Sequence, residues 1–245
     1  LVSKIKFLFS AKKVGHTGTL DPMATGLLPI CLGEATKFSS YLLNADKTYE
    51  ALIRLGYKSS TGDMEGEIIK QRIDKMPSLT KIKKLLNEFI GSIEQLPPMY
   101  SALKYQGKPL YSYAREGIDI PRPKRKIKIH TIELLDYEED KLRLRIKCSK
   151  GTYIRTLAED IGAQLNVGGY LIGLRRTTIG NFSIENGLNI EKIEKTKDTE
   201  RSSLLLLPEE LLSEYEKIIL NSTEEKAIKD GKIVEKKRKN PGLYR

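Results

Sequence analysis

The residues with the most chemical content lie in GHTGTLDPMATGLL, positions 15–28, a glycine-rich loop that presents one carboxylate, Asp21. Gly15, Gly18 and Gly26 give the backbone freedom that a Cβ would remove, and Pro22 pushes Asp21 toward an extended conformation. A loop this constrained is built to hold something still. Taken alone, an Asp-Pro pair reads better as a tight turn capping a strand at 27–32. It is no phosphate cradle, because the GxxxxGK[ST] pattern is absent, and the GxGxxG spacing of a dinucleotide site is absent too. The histidines are His16 and His130, and no Ser-His-Asp set is suggested. A carboxylate acting as nucleophile or base is the chemistry that remains.

A second group of residues points to what such a carboxylate would meet. Tyr100, Tyr105, Tyr111 and Tyr113 interleave with Lys104, Lys108 and Arg115, a mixture suited to base stacking and phosphate contact. Lys104 and Tyr105 are the binding candidates here. The run RPKRKIK at 122–128 adds charge for phosphates, and reads almost as well as a solvated strand. Across 245 residues, 43 Lys and Arg stand against 32 acids, a net charge of +11 that favours a polyanionic partner, most commonly nucleic acid. Cys31 and Cys148 sit in separate apolar stretches and read as core residues rather than ligands or a disulfide. With so few Cys and His a zinc site is not expected, and no cofactor motif occurs. No apolar run approaches the ~20 residues of a membrane span, and no signal peptide precedes the first charges. The expectation is a cytoplasmic protein without metal, cofactor or membrane.

These groups need a scaffold large enough to hold them, and the length allows one large domain and a small one. Val2, Ile5 and Phe9 recur at helical spacing, so the chain opens as if within a helix, and it has no initiator Met. Positions 49–55 alternate, with Tyr49, Ala51, Ile53 and Leu55 on one face of a strand. Residues 81–90 place Ile82, Leu85, Leu86, Phe89 and Ile90 on one helical stripe, with Thr80 as N-cap and Gly91 as stop. Strands are expected at 126–135 and 141–147. In the second, Leu142, Leu144, Ile146 and Cys148 face inward and Lys141, Arg143, Arg145 and Lys147 outward. Leu157, Ala158, Ile161 and Leu165 form a helical stripe ended by Gly168 and Gly169. Strands and helices mix without regular βαβ alternation, which predicts α+β with a largely antiparallel sheet. Positions 189–203 read as a polar linker. A helix is expected to follow, with Pro208 in its first turn and Glu209 and Glu210 suiting its dipole. The closing KKRKNPGLYR is too short to complete a module.

Five segments then occur in a recognisable order: GHTGTLDPMATGLLPICLGEATK, DKTYEALIRLG, PPMYSALKYQGKPLYSYAREG, SKGTYIRTLAEDIG and LRRTTIG. Together, from about residue 10 to about residue 185, they resemble the bacterial tRNA pseudouridine synthase B family. The resemblance implies an isomerase that converts the T-loop uridine at position 55 of tRNA to pseudouridine. It implies a pseudouridine synthase-type α+β fold, with a largely antiparallel mixed sheet flanked by helices. The division it implies is a catalytic domain at 1–205 and the start of a small PUA-like RNA-binding domain at 206–245. The strand and Lys-Pro motif with which the family begins are not in this sequence. Residue by residue, Asp21 corresponds to the catalytic aspartate and Arg155 to the arginine that pairs with it. Tyr49 corresponds to the tyrosine that stacks on the flipped uracil, His16 to the histidine that enters the RNA, and Leu174 to an apolar neighbour of the target base. Gly18 belongs to the same substrate loop as His16.

The implied reaction breaks the N1–C1′ bond, turns the uracil and rejoins it through C5, with no redox change or group donor. A carboxylate can attack C1′, add to the ring, or take a sugar proton. Arg155 would supply the countercharge that an enclosed Asp21 needs. A second reading is an RNA-binding or tRNA-folding module without chemistry, and a third is a relative acting on guide-selected ribosomal RNA. The partner in the first reading is the T-arm stem-loop, met by a monomer.

Overall fold

Strict alternation of apolar and charged side chains builds the middle of the molecule. The computed structural model describes residues 1–213 and 215–234, so the basic stretch KKRKNPGLYR lies outside the described residues. The first strands are short: β1 (Val14–His16), β2 (Thr25–Gly26) and β3 (Ile30–Leu32). β4 (Lys47–Leu55) is long, and β5 (Tyr57–Ser59) and β6 (Ile68–Lys70) form a hairpin after it. Next come β7 (Gly91–Gln95), β8 (Lys104–Tyr105) and β9 (Lys108–Pro109). The remaining strands are β10 (Arg125–Glu138), β11 (Lys141–Cys148), β12 (Gly169–Ile179) and β13 (Phe182–Ser183). The helices are α1 (Val2–Leu8), α2 (Ser39–Asn44), α3 (Leu79–Glu88) and α4 (Leu110–Arg115). α5 (Ile154–Gln164), α6 (Ile190–Lys195) and α7 (Ser222–Lys229) complete them.

The main sheet has the order β13-β12-β4-β11-β10-β7, with every neighbour antiparallel, and β2 adds to β12 in parallel. The fold is therefore α+β with a largely antiparallel mixed sheet. In β11, Leu142, Leu144, Ile146 and Cys148 are fully buried, while the cations between them face solvent. Arg145 on that outer face joins Glu133 at 2.9 Å and Glu50 at 3.2 Å across the strands. The inner face packs on α3 and α5. Ile82, Leu85 and Leu86 of the first and Leu157, Ala158 and Ile161 of the second enter one continuous core with Ala51, Ile53 and Leu55. α5 meets the start of β12 backbone to backbone: a Cβ on Gly162 would lie 2.2 Å from the Gly169 nitrogen. Glycine is required there by space.

Several boundaries differ from the sequence reading for local reasons. α3 starts one residue before Thr80, capped by Ser78, whose hydroxyl accepts from the Lys81 N–H at 3.3 Å. The strand expected at 27–32 is only Ile30–Leu32, since Pro29 has no N–H to donate to a ladder. The expected linker at 189–203 is folded. Asn189 caps α6 through the Lys192 N–H at 2.9 Å, and Arg201 reaches the carbonyls of Ile193 and Leu8 at 3.2 and 3.0 Å. The turn opened by Pro208 is a 3-10 helix, Pro208–Leu212, rather than an α-helix. Among the described residues, no helix is long and apolar enough to cross a membrane.

Candidate active site

The aspartate loop is held from below by β12. Thr25 and Gly26 pair with Arg175 and Arg176, and the Leu27 N–H donates to the Arg176 carbonyl at 2.8 Å. At Gly26 the φ is +107°, and a Cβ would stand 2.3 Å from the Arg176 carbonyl oxygen. No side chain fits that contact, which explains the glycine and fixes the loop at one point. The Arg176 side chain then ties down both ends of the loop. Its Nε donates to the Leu27 carbonyl at 2.8 Å and its Nη2 to the Gly18 carbonyl at 3.1 Å. Arg176 is 2% exposed, so these bonds form away from water. Within the loop the Ala24 N–H donates to the Asp21 carbonyl at 2.9 Å, closing a turn that lifts the carboxylate.

Arg155, the second residue of α5, meets Asp21 from the opposite side. Its Nε and Nη2 donate to Oδ2 and Oδ1 of Asp21 at 2.9 and 3.1 Å, a bidentate pair. The guanidinium is fully engaged: it also donates to the carbonyls of Thr61 at 3.2 Å and Tyr100 at 2.8 Å, and lies 3.5 Å from Asp63 Oδ2. The start of α5 is fixed by Gln95, whose side chain accepts from the Tyr153 N–H at 2.8 Å and donates to its carbonyl at 3.0 Å. The Arg155 side chain is 6% exposed and that of Asp21 32%, so the arginine is a buried brace and the carboxylate opens outward.

Tyr49 of β4 stands opposite Arg176 of β12 on the inner sheet face, and Leu174 is two residues along on that face, opposite Ala51. Burial pushes the Tyr49 phenol up, which keeps the ring neutral, and both Arg176 and Asp21 act on it electrostatically. Asp21 is thus paired with Arg155 and within electrostatic reach of Tyr49, and Leu174 shares the inner sheet face with Tyr49. The arrangement offers a fixed carboxylate beside a neutral aromatic ring and an apolar wall.

Residues 6–154 match the model of the TruB family pseudouridylate synthase (N terminal domain). Residues 155–218 match that of the tRNA pseudouridylate synthase B C-terminal domain. The chain belongs to the tRNA pseudouridine synthase B family. The tRNA pseudouridine synthase B of Methylobacillus flagellatus is 48% identical over 218 residues, which cover 89% of this chain and 72% of the relative. That of Francisella tularensis is 53% identical over 195 residues, 79% of this chain and 64% of the relative. Among solved structures, a Cbf5-Nop10-Gar1 complex matches with a TM-score of 0.72 at 28% identity, over 94% of this chain and 62% of that one. An H/ACA RNP bound to a substrate RNA containing 2′-deoxyuridine matches with a TM-score of 0.64 at 26% identity, over 88% and 57%. The family is one of isomerases acting on RNA.

The other candidates of this family member lie around the central group rather than in it. His16 is exposed at the end of β1, its Nδ1 accepting from the Gly18 N–H at 3.3 Å. Gly18 enters the site through its carbonyl, on Arg176. Lys104 and Tyr105 form the exposed β8, paired with β9. The Tyr105 ring meets Tyr113 edge-on at 6.1 Å, and the ammonium of Lys108 lies 4.5 Å above the Tyr113 ring. That hairpin connects to the centre through Tyr100, whose carbonyl holds Arg155. Sequence reasoning missed Arg176, Asp63 and Gln95. Arg176 had a usable signal, since it stands in phase with Leu174 on an inward face where a charge needs a buried partner. Asp63, in SSTGDMEG, reads as an ordinary turn residue.

Proposed function

We propose that this chain converts the T-loop uridine at position 55 of tRNA to pseudouridine, with Asp21 as the reacting carboxylate. The bidentate Asp21–Arg155 pair beside Tyr49 carries this reading. Arg155 engages each Asp21 oxygen once, and a carboxylate oxygen has a second lone pair left for nucleophilic attack or proton abstraction. The target base leaves its stack to react, at a cost of a few kcal/mol that stacking on Tyr49 offsets by ~1–3 kcal/mol. His16 enters the opened loop, Leu174 packs beside the base, and Gly18, Lys104 and Tyr105 line the RNA. Residues 1–205 form the catalytic domain and 206–245 begin a PUA-like RNA-binding domain. The protein works as a monomer in the cytoplasm and needs no cofactor. Identity of 48% to a tRNA-modifying relative, against 28% to the Cbf5 complex, favours tRNA over guide-selected RNA.

The test is pseudouridine mapping on a T-arm stem-loop RNA incubated with the protein, with Asp21→Ala in parallel. Product at the T-loop uridine that disappears in the variant while RNA binding persists is the expected result. Binding without product from the unaltered protein overturns the proposal in favour of an RNA-folding role.

A further inference from the structure

One turn beyond Arg155, α5 carries a carboxylate for which the proposed reaction has no use. Glu159 lies at i+4 from Arg155, on the same side of the helix. Its carboxyl group rests against Gly62: a Cβ there would meet Cδ and Oε2 of Glu159 at 3.2 Å and Cβ of Arg155 at 3.3 Å. Gly62 lies between the two residues that grip the guanidinium from this side, Thr61 through its carbonyl and Asp63 through its carboxylate. The loop is otherwise well tied. Thr61 donates to Asp63 Oδ1 at 2.6 Å, the Glu65 N–H to the same atom at 3.0 Å, and the Leu171 N–H to the Gly62 carbonyl at 2.9 Å. Glu159, by contrast, is half-buried and forms no hydrogen bond or ion pair among the described residues.

A half-buried carboxylate without a hydrogen-bond partner is costly to ionise. The charged groups that face Glu159 are Asp160 and Arg155 on its own helix and Asp63 on the loop, and Asp160 is in turn influenced by Lys124. Burial and the neighbouring Asp160 and Asp63 charges raise the Glu159 carboxyl to about 7, with only Arg155 opposing them. The group therefore changes charge near neutral pH beside the arginine that holds Asp21.

We propose that Glu159 is a positioning residue, set against the 61–63 loop one helical turn beyond Arg155, whose charge decides how firmly the guanidinium holds Asp21 and so sets the rate of the chemical step. The inference rests on the isomerase reading above. When ionised, Glu159 adds a negative charge one helical turn from Arg155, outside its hydrogen-bonding shell, and offsets part of the guanidinium's positive field. Asp21 is then held less tightly and its free lone pair is more available. When neutral, Glu159 leaves Asp21 fully in the grip of Arg155. RNA binding depends on other surfaces and does not change.

Single-turnover conversion of a T-arm stem-loop RNA, with enzyme in saturating excess from about pH 5.5 to about pH 8.5, tests this for wild type, Glu159→Gln and Glu159→Asp. RNA affinity and thermal unfolding are measured on the same samples. The wild-type rate rises by about three- to tenfold through neutral pH, as expected for a charge acting over a few ångströms in a partly screened site. Glu159→Gln stays at the low-pH rate throughout with unchanged RNA affinity, and Glu159→Asp keeps a rise displaced to lower pH. A Glu159→Gln variant with the wild-type pH profile overturns the proposal, as does an equal loss of rate at every pH. If Glu159→Gln does not fold, the Glu159→Asp profile decides, and an undisplaced rise overturns the proposal. Wild-type product with no pH rise refutes only the role of Glu159. Absence of wild-type product at every pH refutes the isomerase reading itself.

Discussion

Arg155→Ala removes the group on which both the site and part of the core depend. Four hydrogen bonds and a 3.5 Å ion pair converge on its guanidinium. The two carboxylates left behind differ in their access to water. Asp21, 32% exposed at its side chain, can rehydrate, whereas Asp63, 3% exposed, cannot. Leaving one member of a buried pair unpaired costs about 3–5 kcal/mol, and most of that falls on Asp63. The expected result is therefore a destabilisation of about 3–5 kcal/mol in urea unfolding, together with loss of pseudouridine product. The structure makes a sharper claim through a double-mutant cycle. Asp63→Asn removes the charge that Arg155→Ala would strand, so the double variant should recover about 2 kcal/mol relative to the sum of the single losses. Product should not return, because Asp21 still lacks its brace. A loss below about 1 kcal/mol in Arg155→Ala, or strict additivity with Asp63→Asn, would refute the assignment of Arg155 as a buried brace shared by two acids.

Gly26→Ala should lower stability by at least about 2 kcal/mol and abolish product, since its Cβ would overlap the Arg176 carbonyl at 2.3 Å and its φ is +107°; a wild-type urea midpoint would contradict the loop anchor. Glu159, neutral in the folded state up to about 7 and ionised in the unfolded chain above its usual 4.5, makes the native state bind the extra proton in that window. Its contribution to stability is thus present below pH ~4.5 and lost as pH rises through ~7, and Glu159→Gln should remove about 2 kcal/mol of that decline in unfolding measured at acid and neutral pH. If Lys104 and the basic run 122–128 meet phosphates, RNA affinity should fall at least tenfold between about 50 and about 200 mM salt. An affinity insensitive to salt would remove phosphate contact from the account.

The parts of the fold that could be read from sequence are those governed by a local period. β11 alternates because each inward position meets the core and each outward one meets solvent, and the α5 stripe repeats because one helical face packs on β12. Asp21 stood out through the glycines around it, which a tight backbone contact explains at Gly26. What could not be read is contact between distant positions. Arg201 donates to Leu8 across 193 residues, and this bond, with the Asn189 cap, turns an apparent linker into ordered structure. Arg155 and Asp21 are 134 residues apart, and only resemblance to a family paired them. The same limit hid the rest of the arginine's surroundings. Thr61 and Tyr100 contribute carbonyls, which any residue type supplies, so no identity at those positions could announce the role. Asp63 contributes a side chain, but its hydrogen bonds to Thr61 and Glu65 are those of a common turn. The placement of that turn against α5 converts it into half of the brace, and placement is a property of the packed core.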